Sequence, residues 1–218
     1  MSKILYLGIE RPSEGKYSNA YHYPIIRIIP RSKEDSGIRE AFEQFHYYTH
    51  LIFTSKSSVG IFCKYASELG IGIAEIQRKS LIAIGEKTAA RMTAFDIRAS
   101  HISSEETAEG LVKLFETLSL ESNAYFFWPH SALSRPVLLE WFQASGVKHR
   151  ACIFYDTLPW LSGALPVISQ FEEIIFTSPS VVEAYLRFFG ELPKDKTLTA
   201  IGPVTKNYLQ SRLRGIAC

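Results

Sequence analysis

The sequence has few cysteines, no long apolar segment and almost no net charge. Its three cysteines, Cys63, Cys152 and Cys218, are widely spaced among 218 residues. An odd number without a CxxC pair argues against a disulfide framework, a zinc ribbon and an iron–sulfur site. No apolar segment approaches the roughly 18 residues that a membrane span requires, and the apolar start at 4–9 is too short for a signal peptide. We therefore expect a cytoplasmic protein without a metal ion and without membrane association.

The charge balance says little about a partner. Lys and Arg number 24 and Asp and Glu 22, which gives a net charge of +2, so an anionic ligand must be bound by a local group of residues. The basic residues are scattered without interleaved aromatics, which does not favour nucleic acid. Gly70 and Gly72 lack the third glycine of a dinucleotide-binding loop, and no Walker A loop or GxSxG elbow is present.

Strand-like apolar runs alternate with helix-like segments along the whole chain. The strand-like runs are 3–9, 23–29, 49–54, 80–84, 97–102, 124–128, 147–155, 173–177 and 197–201. The helix-like segments are 37–47, 57–69, 86–94, 105–117, 132–145, 179–189 and 203–213. Because several of the runs are continuously apolar, the pattern predicts an α/β protein whose parallel strands are covered on both faces.

An internal repeat divides the chain. IFTSKS at 52–57 recurs as IFTSPS at 175–180, and AIGEKT at 83–88 recurs as AIGPVT at 200–205, in the same order. Each copy predicts a strand, an FTS turn, a helix, a strand, an IGxxT turn and a helix. The spacing is too long for a solenoid. We therefore predict two similar α/β domains, each carrying the same two turns.

The repeated turns are the first candidates for a binding site. Ligands of open α/β sheets bind at the carboxyl ends of strands, and the backbone N–H groups of a helix start attract anions. Two such edges predict a cleft that holds a polyanionic ligand. The candidate ligand-binding residues of the turns are Thr54, Ser55, Gly85, Lys87, Thr88, Thr177, Ser178, Gly202 and Thr205.

Each candidate also has a purely structural interpretation. Ser55 and Ser178 fit helix N-caps, and Pro179 fits the position directly after such a cap. Thr88 and Thr205 can hydrogen-bond within the first turn of a helix. Lys87 can be a solvated surface residue. These alternatives stay open at the level of sequence.

Two more segments add polar candidates. The turn at 128–135 carries His130 and Arg135, two possible cations that could instead belong to a solvated helix face. Tyr155 ends an apolar strand, where a tyrosine most often packs with its hydroxyl at the surface. A functional role for Tyr155 requires its hydroxyl to face the cleft.

The ordered motifs together resemble the uroporphyrinogen-III synthase family over nearly the whole chain. They are IFTSxSxV, AIGxxT, SxExTAEGLxxLF, WPHSALSR, GVxxxxxxxYDT, IIFTSPSVV and AIGPVT. The resemblance implies two α/β domains, one inserted in the other, that are joined by a two-strand linker and have the active site in the cleft between them. It places a discontinuous domain at 1–31 plus 158–218 and an inserted domain at 32–157.

The resemblance also implies a reaction. The family converts hydroxymethylbilane, a linear tetrapyrrole with eight carboxylates, to uroporphyrinogen III, with loss of water, inversion of ring D and no cofactor. Tyr155 matches a conserved tyrosine that is a candidate proton donor. Thr88, Ser178 and Thr205 match hydroxyl residues that contact the ligand. We expect a monomer that takes its substrate from hydroxymethylbilane synthase.

The chain departs from the family pattern in two places. Segment 11–15 is short and polar where members have a helix, and the chain stops at 214–218 where members continue with a strand and a helix. We therefore expect a discontinuous domain that is shortened at its C-terminus. The alternative functions are a two-lobed binding protein of the periplasmic type, and a catalytically weak or silent relative that binds a tetrapyrrole or another polyanion.

Overall fold

The computed structural model describes residues 3–12 and 15–215. Its strands are β1 (Ile4–Tyr6), β2 (Tyr21–His22), β3 (Ile26–Pro30), β4 (His50–Phe53), β5 (Ser80–Ala83), β6 (His101–Ile102), β7 (Tyr125–Ser131), β8 (Lys148–Pro159), β9 (Glu173–Phe176) and β10 (Thr197–Ala200). Its α-helices are α1 (Ser36–Glu43), α2 (Lys56–Glu68), α3 (Ile73–Gln77), α4 (Glu86–Thr93), α5 (Ala108–Thr117), α6 (Val137–Ser145), α7 (Pro179–Phe189) and α8 (Pro203–Leu213). The 3-10 helices are Gly15–Tyr17, Phe45–Tyr47 and Ile168–Gln170.

The chain divides into two compact units. The first unit comprises residues 1–28 and 157–218, and the second comprises residues 29–156. The chain leaves the first unit within β3 and returns to it within β8, and these two strands are neighbours in the second sheet.

The first unit contains a four-stranded sheet in the order β10, β9, β1, β2. The neighbouring strands are parallel. Leu5, Ile174 and Phe176 from the strands and Val182 and Tyr185 from α7 form its buried core. The spacing of the two α7 residues explains this packing, because residues three and four apart share a helix face.

The second unit contains a six-stranded sheet in the order β3, β8, β7, β4, β5, β6. The neighbouring strands β8 and β7, β7 and β4, β4 and β5, and β5 and β6 are parallel. Phe126 and Phe127 are adjacent on β7 and both are fully buried, which shows that this strand is covered on both faces. A parallel sheet covered on both faces accounts for the unbroken apolar runs of the sequence.

The internal repeat has the same place in both sheets. The strand before each FTS turn, β4 or β9, lies between the strand before each IG turn, β5 or β10, and a third parallel strand, β7 or β1. The structure thus confirms an α/β fold built from parallel sheets, as the sequence predicted.

Several predicted boundaries were wrong. The predicted helix 37–47 ends at Glu43 and is followed by the 3-10 helix Phe45–Tyr47. The predicted helix 132–145 begins at Val137 because β7 continues to Ser131, paired with β8. Strand β2 and helix α3 were not predicted.

Some expectations fall on residues that the structure does not describe. Residues 13 and 14, within the polar segment after β1, lie outside the described residues, and so do residues 216–218, which include Cys218. Cys63 and Cys152 are free thiols. Over the ranges that are described, no helix has both the length and the apolar character to span a bilayer.

Candidate active site

Hydroxyl side chains line the carboxyl edge of the second unit's sheet. Strands β8, β7 and β4 are neighbours and run in the same direction. They bring Tyr155 on β8, Ser131 at the end of β7 and Ser55 just after β4 to one edge. The structure therefore brings together Tyr155 and Ser55, two residues that the sequence predicted for the site.

Tyr155 is a buried side chain whose hydroxyl has polar neighbours. It is 5% exposed, and its hydroxyl oxygen lies 2.8 Å from Ser55 Oγ. Burial raises the pKa of Tyr155 above its ordinary value, while hydrogen bonds from Ser55 and Ser131 act to lower that pKa. The phenol therefore stays protonated at neutral pH and can donate a proton.

Ser55 caps a helix and contacts Tyr155 at the same time. Its Oγ accepts the backbone N–H of Ser58 at 3.0 Å, which caps α2. The hydroxyl of Ser58, fully buried, donates to the Ser55 carbonyl at 2.8 Å. The capping interpretation of Ser55 is thus confirmed, and its contact with a ligand stays a prediction.

Thr54 and His130 are held by the indole of Trp128. Trp128 Nε1 donates to Thr54 Oγ1 at 3.2 Å, and the indole stacks on the His130 ring at 4.2 Å between centroids. His130 Nδ1 donates to the Ser131 carbonyl at 2.8 Å, and burial lowers the pKa of His130. His130 is thus a neutral, packed imidazole at pH 7, which corrects the cation considered from the sequence.

Arg135 is paired with an acidic residue of the same unit. Its guanidinium donates to Glu109 at 2.5 and 2.7 Å in a two-pronged ion pair. The guanidinium lowers the pKa of Glu109 to about 2. Arg135 therefore holds the first turn of α5 and is not a free cation in this arrangement.

The Gly85 turn is covered by a carboxylate. Gly85 is buried at the start of α4, and a Cβ added there would lie 2.6 Å from Oε1 of Glu106. Thr88, in the first turn of α4, is buried, whereas Lys87 is exposed. Anion binding at the start of α4 stays a prediction, and the acidic side chain of Glu106 already lies close to it.

The first unit repeats the arrangement with different partners. Ser178 caps α7 by accepting the Val181 N–H at 3.4 Å, and its Oγ lies 2.8 Å from Ser180 Oγ. Thr177 precedes it at the end of β9. Gly202 begins α8 with a φ of 84°, a backbone that favours glycine, and Thr205 is buried in the first turn.

A third turn in the first unit was missed from the sequence. Gly8 follows β1, the neighbour of β9, and a Cβ at Gly8 would lie 2.7 Å from Thr177 Cγ2. His22 Nε2 donates to the Gly8 carbonyl at 2.8 Å. The sequence also missed Ser58, Ser131 and Glu106. The only available signal was a small or polar residue directly after a strand.

No metal centre is built from the side chains that the structure describes. Within those ranges no three His, Cys, Asp or Glu residues are grouped so that they could hold a metal ion.

Comparison with known proteins identifies the family. A family model described as uroporphyrinogen-III synthase HemD matches residues 14–215. The chain belongs to the uroporphyrinogen-III synthase family.

Solved uroporphyrinogen-III synthases share its fold. A substituted variant of the Thermus thermophilus enzyme is 15% identical, with a TM-score of 0.68, and the match covers 99% of this chain and 90% of that one. The Helicobacter pylori enzyme is 18% identical, with a TM-score of 0.63 over 99% and 90% of the two chains. The two-domain α/β fold expected for the uroporphyrinogen-III synthase family is thereby confirmed.

Proposed function

We propose that this protein is a uroporphyrinogen-III synthase, a cyclising lyase that converts hydroxymethylbilane to uroporphyrinogen III in haem biosynthesis. The observation that carries the proposal is the buried Tyr155 hydroxyl at 2.8 Å from Ser55, at the sheet edge where the repeated turns lie. Membership of the family supplies the reaction class.

The proposed role of Tyr155 is to help a hydroxyl group leave. The C–O bond of the hydroxymethyl group breaks, the Tyr155 proton joins the departing hydroxide, and water is released. The resulting azafulvene bonds to the ring D carbon that already carries the bridge to ring C, which gives a spiro intermediate. The old bridge bond then breaks, a new one forms to the free carbon of ring D, and that attacked carbon loses its proton, which returns to the phenolate. Because this substrate ionises readily and cyclises unaided to the symmetric isomer, placement of its rings matters more than strong acid catalysis.

The substrate carboxylates would be held by the turns. Helix starts at Ser55, Gly85, Ser178 and Gly202 offer backbone N–H groups to anions. Such groups do not contribute to the net charge, so a polyanionic substrate is compatible with a protein whose net charge is only +2. We propose that the turns of both domains, 1–31 plus 158–218 and 32–157, bind carboxylates of the substrate.

One observation favours a second candidate function. Glu106 covers the start of α4 and Glu109 neutralises Arg135, which leaves less free positive charge for a polyanion. A relative that binds a tetrapyrrole weakly, with little or no turnover, is the alternative.

The product isomer tests the function. The protein is mixed with freshly made hydroxymethylbilane, and the porphyrins are separated after oxidation. We expect the III isomer. Isomer I alone, as formed without protein, would contradict the proposal, and binding of the substrate without turnover would support the alternative.

Tyr155→Phe tests the proton donor, because it removes the hydroxyl and keeps the ring. We expect turnover to fall by about 100-fold. This is the lower end of the rate enhancement that general acid catalysis gives, because the leaving group departs partly unaided. Tyr125→Phe is the matched control, since Tyr125 is also buried in this sheet and its hydroxyl donates to Gln44 at 3.3 Å. Full turnover with the III isomer in Tyr155→Phe would exclude Tyr155 as the acid.

Three further properties stay predictions. We propose a cytoplasmic monomer that accepts hydroxymethylbilane, by transient handover, from the synthase that makes it. Sedimentation of the purified protein with and without that synthase would measure both its oligomeric state and any association.

A further inference from the structure

The Tyr155 hydroxyl has two serines from different strand ends as hydrogen-bond partners, Ser55 and Ser131. Strands β7 and β8 pair in regular register up to His130 and Ile153, but Ser131 pairs with Tyr155. Without this irregularity Ser131 would lie opposite Phe154. Because side chains alternate along a strand, the shift of one residue turns Ser131 to the same face of the sheet as Tyr155.

The other contacts of the two serines decide where each can donate its hydrogen. Ser131 Oγ accepts the Leu133 N–H at 3.1 Å, and Ser55 Oγ accepts the Ser58 N–H at 3.0 Å. A hydroxyl has one hydrogen and two lone pairs. The Ser55 hydrogen can be directed at Ser58 Oγ, 3.2 Å away, or at the Tyr155 oxygen, which is closer at 2.8 Å. The Ser131 hydrogen can be directed at the Tyr155 oxygen.

We propose that Ser131 is a positioning residue for Tyr155. Together, Ser131 and Ser55 donate hydrogen bonds that hold the phenol oxygen and stabilise the phenolate left after proton transfer. This inference rests on the proposed function. The Tyr155 proton goes to the departing hydroxide, both serine protons stay on their serines, and the phenolate regains its proton when the attacked ring carbon loses one.

The need for two donors follows from burial. An anion formed at a site as buried as that of Tyr155 has little water to solvate it. Hydrogen bonds to a charged oxygen are about twice as strong as those between neutral groups. The serines therefore stabilise the transition state more than the ground state, which is the condition for a rate effect.

The test compares two residues of the same shape at position 131. Ser131→Thr keeps the hydroxyl, whereas Ser131→Val replaces it with a methyl group. We expect Ser131→Val to lower kcat about ten-fold at nearly unchanged KM, the effect of one lost hydrogen bond to a charged group. Ser131→Thr should retain kcat within about two-fold of the native protein. Ser145→Ala, at the far end of α6, is the control for serine loss elsewhere.

A double-mutant cycle separates positioning from packing. If Ser131 acts through the phenol, Ser131→Val should change turnover less than about two-fold in a Tyr155→Phe background. An equal loss in both backgrounds, or no loss in the native background, would overturn the inference while leaving the function intact. Full turnover in Tyr155→Phe alone would also overturn it, because the serines would have no acid to position. Native protein that makes only isomer I would overturn the function and the inference together.

Discussion

Gly110 shows how closely one residue can be constrained at the edge of the site. A Cβ at Gly110 would overlap the Glu105 carbonyl oxygen and would lie 2.7 Å from Ser103 Oγ. Ser103 Oγ donates to that same carbonyl at 2.7 Å, so the loop before α5 cannot easily move away. This explains the glycine of the TAEG motif, which follows the loop that places Glu106 over the Gly85 turn.

We predict that Gly110→Ala lowers the free energy of unfolding by about 2 kcal/mol, because the added methyl group overlaps backbone atoms. Urea unfolding would measure it. Gly163→Ala is the matched control, since a Cβ at Gly163 meets nothing within 4 Å. Equal stability of the two variants would show that the loop relaxes.

Glu106 supplies a prediction for substrate binding. Its carboxylate lies over the helix start that is proposed to hold a substrate carboxylate. We predict that Glu106→Gln lowers KM for hydroxymethylbilane by about three-fold, because a competing charge at the helix start is removed. Glu116→Gln, an exposed change at the other end of α5, is the control in a steady-state assay. A KM that rises in Glu106→Gln would mean that the carboxylate helps the substrate instead.

Individual site residues were predictable only where their partners are close in the chain. Ser55 and Ser178 could be placed because each closely follows a strand and caps the next helix. The Ser131–Tyr155 pair could not be placed, since it depends on a register shift between two strands that are distant in sequence. Arg135 was considered as a free cation because nothing in the turn reveals Glu109, 26 residues away.

At the scale of elements, the ion pair between Arg135 and Glu109 joins the segment before α6 to the first turn of α5. The carboxylate also lies favourably at a helix start. Because the pKa of Glu109 is lowered to about 2, the folded state holds the proton less tightly than the unfolded chain, whose pKa is about 4.3. The stabilisation is present above that unfolded value and is lost as pH falls toward about 2.

We predict that Glu109→Gln reduces the loss of stability between about pH 5 and pH 2.5. Since half of the Glu109 side chain is exposed, the pair contributes only about 0.5 kcal/mol. Urea midpoints across this range would measure the difference, with Glu116→Gln as the control. An unchanged acid slope in Glu109→Gln would show that other carboxylates determine it.

The limits of elements were harder to predict than their order. The segment 128–135 was predicted to be a turn, yet its first residues, Pro129 among them, lie inside β7. The paired residues of β7 and β4 end at Phe127, so a proline beyond that point removes no N–H from that ladder. Helix α3 was missed because Gly70 and Gly72 precede it and its five residues carry too little periodicity.

At the scale of the whole molecule, the second unit has a core of its own. The rings of Phe42 and Phe127 are 6.2 Å apart between centroids, and each also contacts the rings of Phe62 and Phe154. The unit's sheet has six strands, which include β3 and β8, the strands within which the chain passes from one unit to the other. The unit therefore contains the contacts that a domain needs in order to fold alone.

We predict that a fragment of residues 26–159 folds by itself, because it keeps β3 and β8 whole. A near-UV circular dichroism signal and a cooperative urea transition would show it. A fragment of residues 26–147, which lacks β8, should give neither, since β7 would lose its neighbour. The absence of a cooperative transition in the fragment of residues 26–159 would contradict the prediction.

The repeat made the two similar sheets predictable, because each strand–helix–strand copy is local in sequence. The strand order was not predictable in the same way. In the first sheet β1 lies between β2 and β9, and nothing near β1 in the sequence indicates a partner some 170 residues later. The family resemblance supplied the inserted arrangement that local patterns lacked.

The position of β1 between β2 and β9 has a consequence for biosynthesis on the ribosome. Ile4–Tyr6 is made well before β9, which begins at residue 173. At about 5–20 residues per second, this apolar strand has only the two-residue β2 beside it for roughly 10–30 seconds, until β9 is made. The strands of the second unit are complete by residue 159, so that unit can fold during synthesis. A chaperone that recognises apolar nascent chain therefore has its longest access to the N-terminal strand.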